Sequence, residues 1–123
     1  MKVKICGITN LQDALDAINS GANALGFVFY KKSPRYIEAK KAKEIIDKLP
    51  PFIQTVGLFV NEDETFINEI CLESKMQLAQ IIDDNEILNY ELLKVKSIKV
   101  IRVKSQKDLR DLNKDFYLLD AFV

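Results

Sequence analysis

The stretch KICGITNLQDALDAINSGANALGFVF, Lys4 to Phe29, reads as strand, helix, strand. Val3 to Ile8 is a short, mainly apolar run of the kind a buried strand needs. Thr9, with Gln12 three residues on, has the spacing of a capping box. Leu11, Ala14, Leu15 and Ile18 then recur at the intervals of one helix face. Ser20-Gly21 closes the helix, since glycine tolerates the left-handed position just past a helix end. Ala24 to Phe29 is a second continuous apolar run. A helical connection of this length joins parallel strands, because antiparallel neighbours need only a tight turn.

Outward from this unit the alternation repeats. A polar loop, Tyr30 to Tyr36, leads to a helix marked by Ala39, Ala42, Ile45, Ile46 and Leu49, which Pro50-Pro51 stops. Phe52 to Val60 is the third strand. Asn61 with Glu64 has cap spacing, and Phe66, Ile67, Ile70 and Cys71 stripe the helix behind it. Leu78 to Ile82 is the fourth strand, with a short helix at Ile87, Leu88 and Leu92. Ile98 to Val103 is the fifth, with a helix at Ser105, Leu109 and Leu112. Phe116 to Leu119 is the sixth, ending at Asp120. The prediction is an α/β chain of about six parallel strands and five helices, whose continuous apolar strands imply cover on both faces. Two closures fit: an open doubly wound sheet, complete at this length, or a (β/α)8 barrel, which needs about 250 residues. Pattern alone leaves both open.

Composition sets the class. The 123 residues are a one-domain length, 48% apolar, with 18 basic and 18 acidic residues and no histidine. A balanced charge offers no electrostatic footprint for nucleic acid or an anionic membrane. No apolar run approaches the roughly 20 residues of a membrane-spanning helix. Cys6 and Cys71 have no metal-ligand spacing and no partner motif, so no metal is expected. The expected setting is the cytoplasm, with reduced thiols.

Parallel α/β proteins bind ligands at the C-terminal ends of their strands. Cys6 ends the first strand, on one face with Lys4, and Val3 and Ile5 take the other. The helix that follows turns its positive end toward this region, which favours a thiolate. Read blandly, Cys6 is a buried structural thiol. Asp120 ends the sixth strand, as a proton donor or as an ordinary turn residue. Arg35, within Lys31-Lys32-Ser33-Pro34-Arg35-Tyr36, is a fork for a carboxylate or part of a solvated basic loop. Gln80 is a polar liner or a satisfied buried amide, and Asn61 a liner or a cap.

Several motifs in order make a resemblance. Lys4-Ile5-Cys6-Gly7-Ile8-Thr9, Gly21 to Tyr30, Ser33-Pro34-Arg35-Tyr36, Val56-Gly57-Leu58-Phe59-Val60-Asn61 and Leu118-Leu119-Asp120 resemble phosphoribosylanthranilate isomerase. The resemblance covers the whole chain and thins after Gln80. It implies a partial TIM barrel, residues 1–123 forming a single truncated domain without strands seven and eight. It implies an Amadori rearrangement in tryptophan biosynthesis, an aminoaldose becoming an aminoketose without a cofactor. By its motif positions Asp120 is the acid at the furanose oxygen, Cys6 the base at C2′, and Arg35 the carboxylate grip on a phosphorylated substrate, with Gln80 lining the site. Two departures stand out. The family's Gln-Leu-His-Gly is Gln80-Ile81-Ile82-Asp83 here, and the phosphate loops after strands seven and eight lie beyond this sequence. The alternative is therefore an inactive half-barrel that self-associates through open sheet edges or binds a partner. A flavodoxin-like receiver would carry an aspartate after the third strand, where this chain has Val60-Asn61.

Overall fold

The computed structural model describes residues 1–103 and 117–121, with side chains as far as Ile101. The elements run β1 (Lys4–Cys6), α1 (Leu11–Asn19), β2 (Ala24–Val28), α2 (Ala39–Ile46), β3 (Gln54–Val60), α3 (Glu64–Ser74), β4 (Leu78–Ile82), a 3-10 turn (Tyr90–Leu92), β5 (Lys96–Val103) and β6 (Tyr117–Ala121). The six strands form one sheet in the order β1-β2-β3-β4-β5-β6, every pair parallel. A doubly wound sheet reverses its strand order at a switch point. This sheet never reverses, which is the topology of a barrel wall and decides between the two closures.

The sheet's faces differ. In register, Leu25, Phe27, Phe59, Ala79 and Ile81 share the outer face, where they pack in one core with Ala14, Ala42, Ile45, Ile67 and Cys71 of the three helices. Burial of these side chains is the main force fixing helices to sheet. The inner face carries Cys6, Gly26, Val28, Val56, Leu58, Leu78 and Gln80. Val28, Val56 and Leu78 are 1%, 3% and 8% exposed although they lie outside the helix-facing core. Curvature of the sheet explains how that face shelters itself. Among the described residues, no helix is long and apolar enough to cross a membrane.

Several boundaries differ from the sequence expectation. The α1 cap is Asn10, whose side-chain oxygen accepts from Asp13 N at 2.8 Å, and not Thr9. The amides of Gly7 and Ile8 both donate to Gly26 O at 3.0 Å, which holds the chain to β2 after β1 ends and delays the helix. At α3 the cap is Asp63, accepting from Phe66 N, and not Asn61. Asn61 instead adopts a left-handed φ of 54°. Phe52 stands fully exposed before β3, which starts at Gln54. The helix expected over 87–92 shrinks to one 3-10 turn, and β5 begins at Lys96. The helix expected at Ser105 to Leu112 lies outside the described residues.

Candidate active site

Cys6 is placed by the glycine beside it in register. A Cβ added at Gly26 would lie 2.8 Å from Cys6 Sγ and 3.1 Å from Cys6 Cα. Only a residue without a side chain lets the thiol lie over β2, and the thiol remains half-buried at the C-terminal end of its strand. A glycine inside a strand marks this kind of close approach. Cys71 behaves differently: burial on the core-facing side of α3 pushes its thiol from 9.0 up to about 12, which makes it inert.

Arg35 reaches the same end of the sheet from the loop after β2. Its amide donates to Ser33 Oγ at 3.1 Å, and Tyr36 forms a parallel bridge with Val28. Its side chain lies across Gly7, where a Cβ would meet Arg35 Cδ at 2.5 Å and Nη1 at 2.6 Å. Gly7 has a φ of +89°, a region glycine enters without strain. Arg35 Nη1 donates to Cys6 O at a long 3.4 Å. The guanidinium is exposed, and among the described residues it makes no ion pair, so most of its five N–H donors are open to a ligand.

Gln80 is 9% exposed on the inner face of β4, where Lys4 Nζ donates to its Oε1. The contact crosses from β1 to β4 over two intervening strands. In a flat sheet the two strands would stand about 14 Å apart, three strand spacings. A curved wall brings the side chains together. The register agrees. Lys4 shares a row with Ala24 and Gln54, and Gln80 is registered with Leu58, four residues beyond Gln54. A barrel of eight strands and shear eight gains about one residue of stagger per strand. Three steps absorb three of the four residues and leave Lys4 and Gln80 within about one residue in height.

The same count locates the Asp120 position. Cys6 shares a row with Gly26, Val56, Leu78 and Lys96, and Asp120 is registered with Arg102, six residues beyond Lys96. Five steps of stagger bring the two backbone positions to nearly one height along the arc. The side chain of Asp120 lies outside the described residues.

At the rim, Asn61 Nδ2 donates to Asp84 Oδ2 at 3.2 Å and Asp84 N donates to Asn61 Oδ1 at 2.9 Å, clasping the turns after β3 and β4. Ile82, the last residue of β4, follows Gln80 on the inner face and puts an aliphatic side chain at this rim. Sequence reasoning missed Lys4, Gly7, Gly26 and this clasp. The glycines carried the available signal, since one interrupts an apolar strand and the other follows a candidate nucleophile. Among the described residues, no three potential metal ligands converge.

Comparisons agree with this fold. Residues 3–122 match the family described as N-(5'phosphoribosyl)anthranilate (PRA) isomerase. The N-(5'-phosphoribosyl)anthranilate isomerase of Nitratiruptor sp. is 54% identical over 123 residues, which are 100% of this chain and 63% of the relative. Phosphoribosyl anthranilate isomerase from Thermotoga maritima superposes with a TM-score of 0.89 at 41% identity, over 100% of this chain and 62% of that one. A phosphoribosyl anthranilate isomerase in complex with reduced 1-(O-carboxyphenylamino)-1-deoxyribulose 5-phosphate superposes at 0.88 with 42% identity, over 99% and 66%. The chain thus spans about three fifths of the length of the curated relatives it matches.

Proposed function

The chain belongs to the N-(5'-phosphoribosyl)anthranilate isomerase family, and on that premise we propose that its residues serve the Amadori rearrangement of N-(5'-phosphoribosyl)anthranilate in tryptophan biosynthesis. Asp120 protonates the furanose ring oxygen, and the ring opens to an iminium. Cys6 as thiolate removes the C2′ proton, which the iminium acidifies, and the resulting enolamine tautomerises to the aminoketose. Arg35 grips the anthranilate carboxylate in a charge-assisted pair, and the Gln80 amide lines the pocket below. No redox cofactor or metal is required, since the shift of hydrogen is internal to the substrate. The cytoplasm is the compartment this reading implies, in keeping with two free thiols.

The observation that carries the reading is the packing of two glycines: Gly26 seats Cys6 and Gly7 seats Arg35, side by side at the strand ends. A fluorescence assay for loss of phosphoribosylanthranilate tests it. Cys6→Ser and Asp120→Asn should each abolish turnover in a protein that completes the barrel. Undiminished turnover in either variant refutes the assigned role.

A second reading concerns these 123 residues alone, as a single domain of the barrel without strands seven and eight. In the described sheet β1 has one neighbour, and Val3 and Ile5 at that edge are 39% and 42% exposed. Unpaired edges invite pairing with another chain. The expectation is a chain that is inactive by itself and self-associates. Light scattering that returns a clean monomer, or turnover near that of an intact relative, overturns it.

A further inference from the structure

One charged group on the inner face has no part in the proposed chemistry. Lys4 is half-buried, and it donates a hydrogen bond to the nearly buried Gln80 amide. Among the described residues no carboxylate pairs with it. Enclosing an ammonium costs free energy unless a hydrogen bond offsets it, so an aliphatic residue would suit this position better on packing grounds alone. The strand that carries it is also short. β1 has three residues, and its outward Ile5 is poorly covered.

We propose that Lys4 is a positioning residue with two effects. It ties β1, and with it Cys6, to β4 across the inner face. It also fixes the Gln80 amide. An ammonium has donors and no acceptor, so the amide must turn its oxygen toward Lys4 and leave its –NH2 as the group offered to a ligand. A ligand atom that meets Gln80 must therefore be an acceptor, a hydroxyl, ether or phosphate oxygen. The tie is a property of the fold, and only the ligand consequence rests on the isomerase reading.

The test is a set of variants of this chain, Lys4→Met, Lys4→Arg, Gln80→Leu, Gln80→Glu and the Lys4→Met/Gln80→Leu double, read by amide hydrogen exchange. The reporters are Gly7 and Ile8, whose amides hold β1 to Gly26 O. Losing a charge-assisted hydrogen bond should speed local opening roughly tenfold to hundredfold in Lys4→Met and in Gln80→Leu. The double variant should exchange no faster than the worse single one. Lys4→Arg and Gln80→Glu should keep the protection, because each retains a donor–acceptor pair. Additive effects, unchanged exchange, or equal acceleration of β3 amides would overturn the tie. Gln80→Glu then isolates the second effect, keeping the tie and removing the –NH2. In a protein that completes the barrel it should weaken binding of reduced 1-(O-carboxyphenylamino)-1-deoxyribulose 5-phosphate at least tenfold relative to the unsubstituted barrel. Equal binding by both overturns the amide assignment. Absence of binding by the unsubstituted barrel sinks the isomerase reading of these residues and, with it, the ligand consequence, while the exchange result stands by itself.

Discussion

Gly26→Ala should damage the site through packing alone. The new Cβ would stand 2.8 Å from Cys6 Sγ, 3.1 Å from Cys6 Cα and 3.2 Å from Cys6 Cβ. Optimal separation of such atoms is about 3.5–4.0 Å, so the overlap is several tenths of an ångström at three atoms at once. β2 is held on both sides by β1 and β3 and on its outer face by the helices. The movement therefore falls on β1. Overpacking of this kind costs ~1–3 kcal/mol, several degrees of melting temperature in a chain of this size. Urea denaturation gives the global cost, and alkylation of Cys6 by iodoacetamide, with buried Cys71 as the silent internal control, reports the local one. Cys6→Ala/Gly26→Ala separates the contributions. It removes the sulfur clash, the tightest of the three, and keeps the contacts to Cα and Cβ, so it should recover part of the loss, a coupling on the order of 1 kcal/mol. A Gly26→Ala variant with parental stability and parental Cys6 alkylation would show that Gly26 does not seat the thiol. A cost unchanged by Cys6→Ala would place the strain on the backbone.

Other outcomes follow from the same geometry. Gly7→Ala should cost about 1–2 kcal/mol from its left-handed backbone and also displace Arg35, whereas Gly21→Ala, with φ +108° and open space around it, should show the backbone cost alone; urea midpoints and ligand titration separate the two. Arg35→Ala should leave global stability nearly unchanged, since the residue is exposed and its long bond to Cys6 O fastens β1 only locally, and weaken a carboxylate-bearing substrate analogue tenfold to hundredfold, about 1.5–3 kcal/mol; equal affinity by calorimetry removes Arg35 from the site. The Asp47 carboxyl is held below its ordinary value of 3.8, first by Lys43 and then by Lys75. A lowered value stabilises the fold above the ordinary carboxylate range and loses that contribution as pH falls through the folded value, so the deficit of Asp47→Asn should be present at neutral pH and vanish in acid. Cys71 has the opposite sign. With its thiol raised to about 12, its contribution is complete below pH 9 and declines as pH rises from there, so Cys71→Ala should flatten the alkaline loss of stability.

How much of this was legible in the sequence depends on the range of the forces involved. The alternation of strands and helices followed from apolar periodicity, a local signal that survives in Ala24–Val28, Leu78–Ile82 and the stripe of α3. Closure was not local. Nothing in the periodicity says that β1 through β6 lie in unreversed order, and the family resemblance alone pointed to a barrel. Helix starts moved because hydrogen bonds outside the helix intervened: Gly26 O captured two amides ahead of α1, and the Asp84 clasp captured Asn61 ahead of α3. The positions of Cys6 and Arg35 at one strand end could be read, because strand ends are fixed by turn chemistry. That Lys4 and Gln80 meet could not be read, since the contact joins residues 76 apart in sequence across a curved wall.

These contacts place Cys6 on a short strand. β1 contributes three residues to the sheet and, among the described strands, pairs with β2. What holds it beyond that pairing is drawn largely from the site itself: Cys6 lodged over Gly26, Arg35 lying across Gly7 with a bond to Cys6 O, and Lys4 reaching Gln80. The residues that would bind and transform a substrate are thus also fasteners of the strand that presents them. Any substitution among them has two routes to lost activity, removal of a group or loosening of β1. The two routes differ in what they move: loss of a group leaves exchange at Gly7 and Ile8 as it was, whereas loosening accelerates it. A ligand that bridges Arg35 and the Gln80 amide would close the same circuit from the open side, tightening β1 as it binds. For this reason a site assembled on a short strand is compatible with a precisely placed Cys6 thiol, the geometry being completed by such a ligand.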